Sequence, residues 1–141
     1  MRFLLLIGFV ALLTSCNQKK EVKVETDQNM MVKQSEMAAL MLKMFDENAK
    51  NKQLVLKGDF PKDYPQEFIK LHTAVLTDEN DRDVAFKGYS DFYLMQQKIL
   101  YNLTDKDSLI PQHNQVINSC ISCHQVKCPG PIPRIQKLLI K

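Results

Sequence analysis

Cys120-Ile121-Ser122-Cys123-His124 is the one run in this chain whose residue types and spacing spell out a chemistry. A C-x-x-C-H run is the attachment pattern of a c-type haem: two thiols add across the vinyl groups and the imidazole takes an axial position on the iron. On a helix, residues at i, i+3 and i+4 share a face, so Cys120, Cys123 and His124 point the same way and can hold one flat cofactor. Three other readings stand beside this one. Cys128 completes a list of four sulfur and nitrogen ligands for zinc, although adjacent Cys123 and His124 project about 100° apart on a helix and make that cage awkward. A redox-active C-x-x-C asks for a strand-helix-strand setting that the sequence does not offer, and the plainest alternative is a helix that happens to contain these residues.

Whatever the site holds must be positioned by the rest of the chain. Residues Phe3 to Leu13 form an apolar run behind Arg2, too short to span a bilayer and placed where a secretory signal belongs. Leu13-Thr14-Ser15-Cys16 resembles the lipobox of a bacterial lipoprotein, which implies cleavage before Cys16 and diacylglycerol on its sulfur. Residues 1–15 are therefore read as a lipoprotein signal peptide, and 16–29, polar and mixed in charge, as a flexible tether. No helical period is legible there.

Removing the signal leaves 126 of the 141 residues, one domain of common size, and 18 basic against 16 acidic side chains. So balanced a surface argues against nucleic acid as a partner. With Cys16 given to lipid and Cys120 and Cys123 to haem, Cys128 has no intramolecular partner and a disulfide framework is excluded.

The domain, 30–141, is read as helical throughout. A long first helix from about Met30 to Leu56 carries Met37, Leu40, Met41, Met44 and Asn48 at i, i+3, i+4, i+7 spacing. Gly58 and Pro61 end it, and Asp63-Tyr64-Pro65 opens a second helix to about Leu76, with Phe68, Leu71, His72 and Val75 on one side. A third helix runs to about Leu103 with Ala85, Tyr89, Phe92, Gln96 and Ile99 as its apolar stripe and Phe86, Tyr93 and Leu100 beside it. Gly88 costs that helix about 1 kcal/mol relative to alanine. Pro111 starts a fourth, bearing Val116, Ile117 and the C-x-x-C-H run, and Pro133 a short C-terminal one with Ile135, Leu138 and Leu139 on one face. The expected architecture is all-α: an up-and-down four-helix bundle with one covalently bound haem, plus a short C-terminal helix.

Over about residues 30–125 the chain resembles the class II c-type cytochromes, cytochrome c-prime and its low-spin relatives, four-helix bundles with C-x-x-C-H in the last helix. The resemblance implies a haem loaded outside the cytoplasmic membrane. Lys33-Gln34-Ser35-Glu36-Met37 looks like the family's first-helix segment facing the distal side of the iron, which places Met37 as sixth ligand in a low-spin member or as an apolar blocker in a high-spin one. Met41, one turn on, is the second choice. Methionines this dense between 30 and 44 are also ordinary adaptable core. The sequence departs from the family at Lys127, Cys128 and the Pro129-Gly130-Pro131-Ile132-Pro133 run that stops the last helix. His113, about 16 Å along the helix axis from His124, is read as a surface residue, and His72 as a hydrogen-bonded core or haem-edge residue.

The expectation is a monohaem cytochrome, lipid-anchored on the periplasmic side of a bacterial membrane, passing electrons to periplasmic or membrane redox proteins; several members of the family it resembles are homodimers. Nothing in the sequence points to an enzyme. A five-coordinate gas-binding haem protein and a zinc-binding structural lipoprotein are the alternatives. Arg134 and Lys127 are candidates to pair with the haem propionates.

Overall fold

The computed structural model describes residues 34–141. The signal peptide, Cys16 and the tether lie outside the described residues, as do the first positions of the expected first helix. Among the described residues the architecture is all-α, without strands, and no helix is long and apolar enough to cross a membrane.

Helix α1 spans Glu36–Leu56 and starts six residues later than the hydrophobic period suggests. Ser35 sets the start: its hydroxyl accepts from the Ala38 N–H at 3.1 Å, satisfying one of the donors that a helix leaves unpaired at its first turn. The end is set by Gly58 at φ 75°, a left-handed conformation that glycine adopts without a Cβ clash. Its N–H reaches Val55 O at 2.9 Å and the Asp59 N–H reaches Leu54 O at 3.0 Å, the paired bonds of a Schellman cap. The buried face, Met37, Leu40, Met44, Asn48, Asn51 and Val55, follows the expected spacing.

The second expected α-helix, Pro65 to Leu76, is instead a 3₁₀ helix at Gln66–His72. Phe68 and Leu71 are its buried residues, with Ala74 buried just beyond its end; the spacing of three eclipses side chains on a 3₁₀ turn and drifts off one face of an α-helix. Val75, expected on the inner side, is exposed. Arg82 holds the end of this segment by donating to the carbonyls of Leu71, His72 and Ala74, while its guanidinium lies 5.3 Å from the Phe86 ring centroid.

Helix α2, Val84–Tyr101, is capped by Asp83, whose carboxylate accepts from the Phe86 N–H at 2.8 Å. Its buried face is Phe86, Ser90, Tyr93, Gln97 and Leu100, with Gln96 at its edge, whereas Phe92 and Ile99 of the expected stripe are exposed. The face is thus rotated by about one residue from the one that apolar counting selects. The reason is polar pairing: the Ser90 hydroxyl bonds Phe86 O, and Gln97 Nε2 donates to Asn48 of α1, so both donors are buried with a partner, while Gln97 Oε1 is buried without one.

Helix α3, Leu109–Lys127, begins two residues before Pro111 and packs most extensively on α2, with α1 against its other side. Pro129 ends it, because the residue before a proline is pushed out of the α region; Cys128 has φ −157° and ψ 81°. The chain then forms the short helix α4, Ile132–Ile135, and a 3₁₀ turn at Gln136–Leu138, which fold back onto α3 and α1. Ile135, Leu138 and Ile140 of this tail join the core.

Candidate functional site

Cys120, Cys123 and His124 line one hollow, as three positions on one helix face must. Its cavity volume is about 80 Å³, and all the empty space within its bounds, including that open to solvent, about 690 Å³. The walls come from each neighbouring element. Helix α1 supplies Met41, Met44, Phe45 and Asn48, the 3₁₀ helix supplies Leu71, and α2 supplies Phe86, Tyr89, Ser90 and Tyr93. The tail closes the hollow with Pro131, Arg134, Ile135 and Leu138. Few polar atoms interrupt an apolar surface, the composition of a small-molecule or cofactor pocket.

The imidazole of His124 is oriented by its own helix end. Its Nδ1 lies 2.9 Å from Cys128 O, so Nδ1 carries the hydrogen and Nε2 keeps its lone pair. A backbone carbonyl on the far nitrogen is the usual outer partner of a metal-bound histidine. The proline that stops α3 turns this carbonyl back toward the ring. Burial pushes the Cys120 thiol up to about 12, with Cys123 beside it adding to the rise, and burial raises Cys123 as well despite the nearby Lys127 cation. Thiols held protonated are the reverse of an activated redox pair, whose thiolate must form near neutral pH. Among the described residues no three His, Cys, Asp or Glu side chains converge as a zinc cage requires.

In kind, the residues fit a haem: two thiols and one oriented imidazole face an apolar slot with a wet rim. The cavity volume is smaller than a tetrapyrrole, so its walls stand further apart when one is held. Met37 is buried in the first turn of α1 but is not among the residues lining the hollow; Met41, one turn on, and Met44 are. His72 lies outside it, part-exposed, 3.3 Å from Asp91. His113, expected on the surface, is fully buried, because the tail packs over it and its Nε2 bonds Leu138 O at 3.0 Å.

Periodicity alone did not reveal the polar cluster at the inner end of the hollow. Tyr93 Oη accepts from Asn48 Nδ2 at 3.2 Å and from Gln97 Nε2 at 2.6 Å, and Gln97 Nε2 also donates to Asn48 Oδ1 at 2.7 Å. Burial first, and Cys120 nearby second, push the Tyr93 hydroxyl well above its ordinary value, so it stays protonated. The only trace in the sequence is Asn48 falling on an otherwise apolar face. Comparison with models of known families, with curated proteins and with solved structures found no match to this chain.

Proposed function

We propose that this chain is a monohaem c-type cytochrome, an electron carrier rather than an enzyme, held on the periplasmic side of a bacterial membrane by lipid on Cys16. The observation that carries the reading is that both thiols and the imidazole of one C-x-x-C-H run face a single apolar hollow, with His124 Nδ1 already committed to Cys128 O and Nε2 left for iron. The haem, once attached through Cys120 and Cys123, supplies a one-electron couple. The chain's own residues would hold it through Cys120, Cys123 and His124, exclude water from it and keep the His124 imidazole oriented. A dry, rigid surround favours electron passage, because little reorganises when the charge changes.

A methionine thioether as sixth ligand raises the reduction potential. Met41 is favoured because it lines the hollow, with Met44 next and Met37 third. The place of Met37 away from the hollow also keeps a second reading in play, a five-coordinate haem open to a small gas. The haem would complete the four-helix-type core that the family resemblance implies, with the 3₁₀ segment standing for one helix. Redox proteins of the envelope are the implied partners.

Mass spectrometry and one absorption spectrum of the exported protein test this. Covalent haem with a low-spin spectrum is the expected result, and a high-spin spectrum favours the gas-binding reading. Bare polypeptide carrying only acyl groups removes both.

A further inference from the structure

Arg134 stands on α4 at the rim of the hollow, exposed to solvent yet part of its lining. Its guanidinium carbon lies 4.5 Å from the centroid of the Phe45 ring, another lining residue. Stacking of this kind holds the planar fork in one orientation while leaving its edge N–H groups free to donate. Among the described residues no carboxylate lies within ion-pair distance of it, and the hollow is lined by neither Asp nor Glu. The other cations near the site are already engaged. Lys127 lies 2.6 Å from Asp83, and Lys52 donates to the carbonyls of Lys137 and Leu139 at 2.8 Å each. The hollow therefore has an apolar interior and one oriented, uncompensated cation at its mouth.

Resting on the cytochrome reading, we infer that Arg134 is the anion clamp of this site, binding a propionate carboxylate of the haem at the solvent edge. A guanidinium fork matches a carboxylate with two parallel N–H···O bonds, geometry that an ammonium does not reproduce. The assignment gives the C-terminal tail a role beyond covering the core, since it carries the group that recognises the charged edge of the cofactor. The region lies beyond the part of the chain that resembles the class II cytochromes, so the clamp belongs to this chain's own C-terminal extension.

The test uses the full-length, exported, haem-loaded protein with Arg134→Gln, Arg134→Lys and Lys127→Gln. Mass spectrometry first counts haem per chain, and the reduction potential of each loaded form is then measured at neutral pH. Removing a cation beside the haem edge, and so unscreening the propionate, favours the more positive oxidised state. R134Q is expected to keep covalent haem while its reduction equilibrium moves about tenfold toward the oxidised form. R134K recovers part of that shift because it restores charge without the fork, and K127Q moves less than R134Q because its charge is spent on Asp83. An R134Q potential equal to that of the parent protein overturns the assignment, as does a K127Q shift as large as that of R134Q. Should R134Q fail to accumulate, an R134K potential indistinguishable from that of the parent overturns it equally. Absence of haem from the parent protein is a separate result that removes the cytochrome reading itself.

Discussion

At the scale of single residues, the Cys128 carbonyl decides what His124 can do. Without that acceptor on Nδ1 the ring would be free to rotate and to change tautomer; with it, Nε2 is the available donor to a metal. On the proposed cytochrome reading, the sixth position falls to a side chain that reaches the hollow. Met41→Ala is expected to convert a low-spin spectrum to high-spin, while Met37→Ala leaves spin state unchanged and lowers stability by about 2–4 kcal/mol, as truncation of a buried methionine does. The opposite pattern would return the ligand role to Met37. Gly58→Ala places a Cβ at φ 75° and is expected to cost about 1 kcal/mol in a urea melt without altering any haem spectrum.

Between elements, the tail is fastened by polar bonds that would otherwise be orphaned in an apolar interface. Asn114 pairs in both directions with Ile140, its Nδ2 donating to the carbonyl at 2.8 Å and its Oδ1 accepting from the N–H at 2.9 Å. His113 Nε2–H donates to Leu138 O, leaving Nδ1 buried with no partner. Burial therefore lowers the His113 pKa, with the Lys52 cation adding a smaller push in the same direction. The sign is that of a histidine buried neutral. The unfolded chain takes up a proton near pH 6.5, where the folded chain does not, so this group's contribution is present above that pH and is lost as pH falls below it. Chemical melts are expected to show stability dropping between about pH 7 and pH 5, and the drop to shrink in His113→Gln, whose amide can still donate to Leu138 O. A slope unchanged by H113Q would assign the pH dependence to other groups.

At the scale of the whole molecule, the hollow exists because four separate stretches of chain converge on one face of α3. Deleting residues 129–141 removes one wall, the Ile135, Leu138 and Ile140 core contacts and the acceptor for His113 together. That truncation is expected to lose several kcal/mol, and to bind haem in a state whose spectrum depends on added imidazole. The proposed export and lipidation are tested at this scale too. Cys16→Ala is expected to move the protein from membrane to soluble fractions, and expression without residues 1–15 to yield chain that carries no covalent haem. Haem on the cytosolic form would break the link between secretion and loading.

Composition and local pattern were enough for three of the four long helices and for the face shared by Cys120, Cys123 and His124, because both depend on neighbours within a turn or two along the chain. The α1 face, the stop at Pro129 and the short helix after it are legible for the same reason: spacing, caps and prolines act locally. Four features were decided only by tertiary contact. Phe68 and Leu71 wind on a 3₁₀ helix, their shared face packed between α1 and α2 and the segment's end gripped by Arg82. Helix α2 turns its Ser90 and Gln97 edge inward because the partners for those groups sit on its own previous turn and on α1. His113 is buried by a tail 25 residues further along the chain. Met41 rather than Met37 meets the hollow because the packing of α1 against α3 sets which turn of a methionine-rich face comes level with the C-x-x-C-H run. A helical period fixes which residues lie on a face; how far one helix slides along another is settled by side chains distant in sequence, and no local signal encodes it.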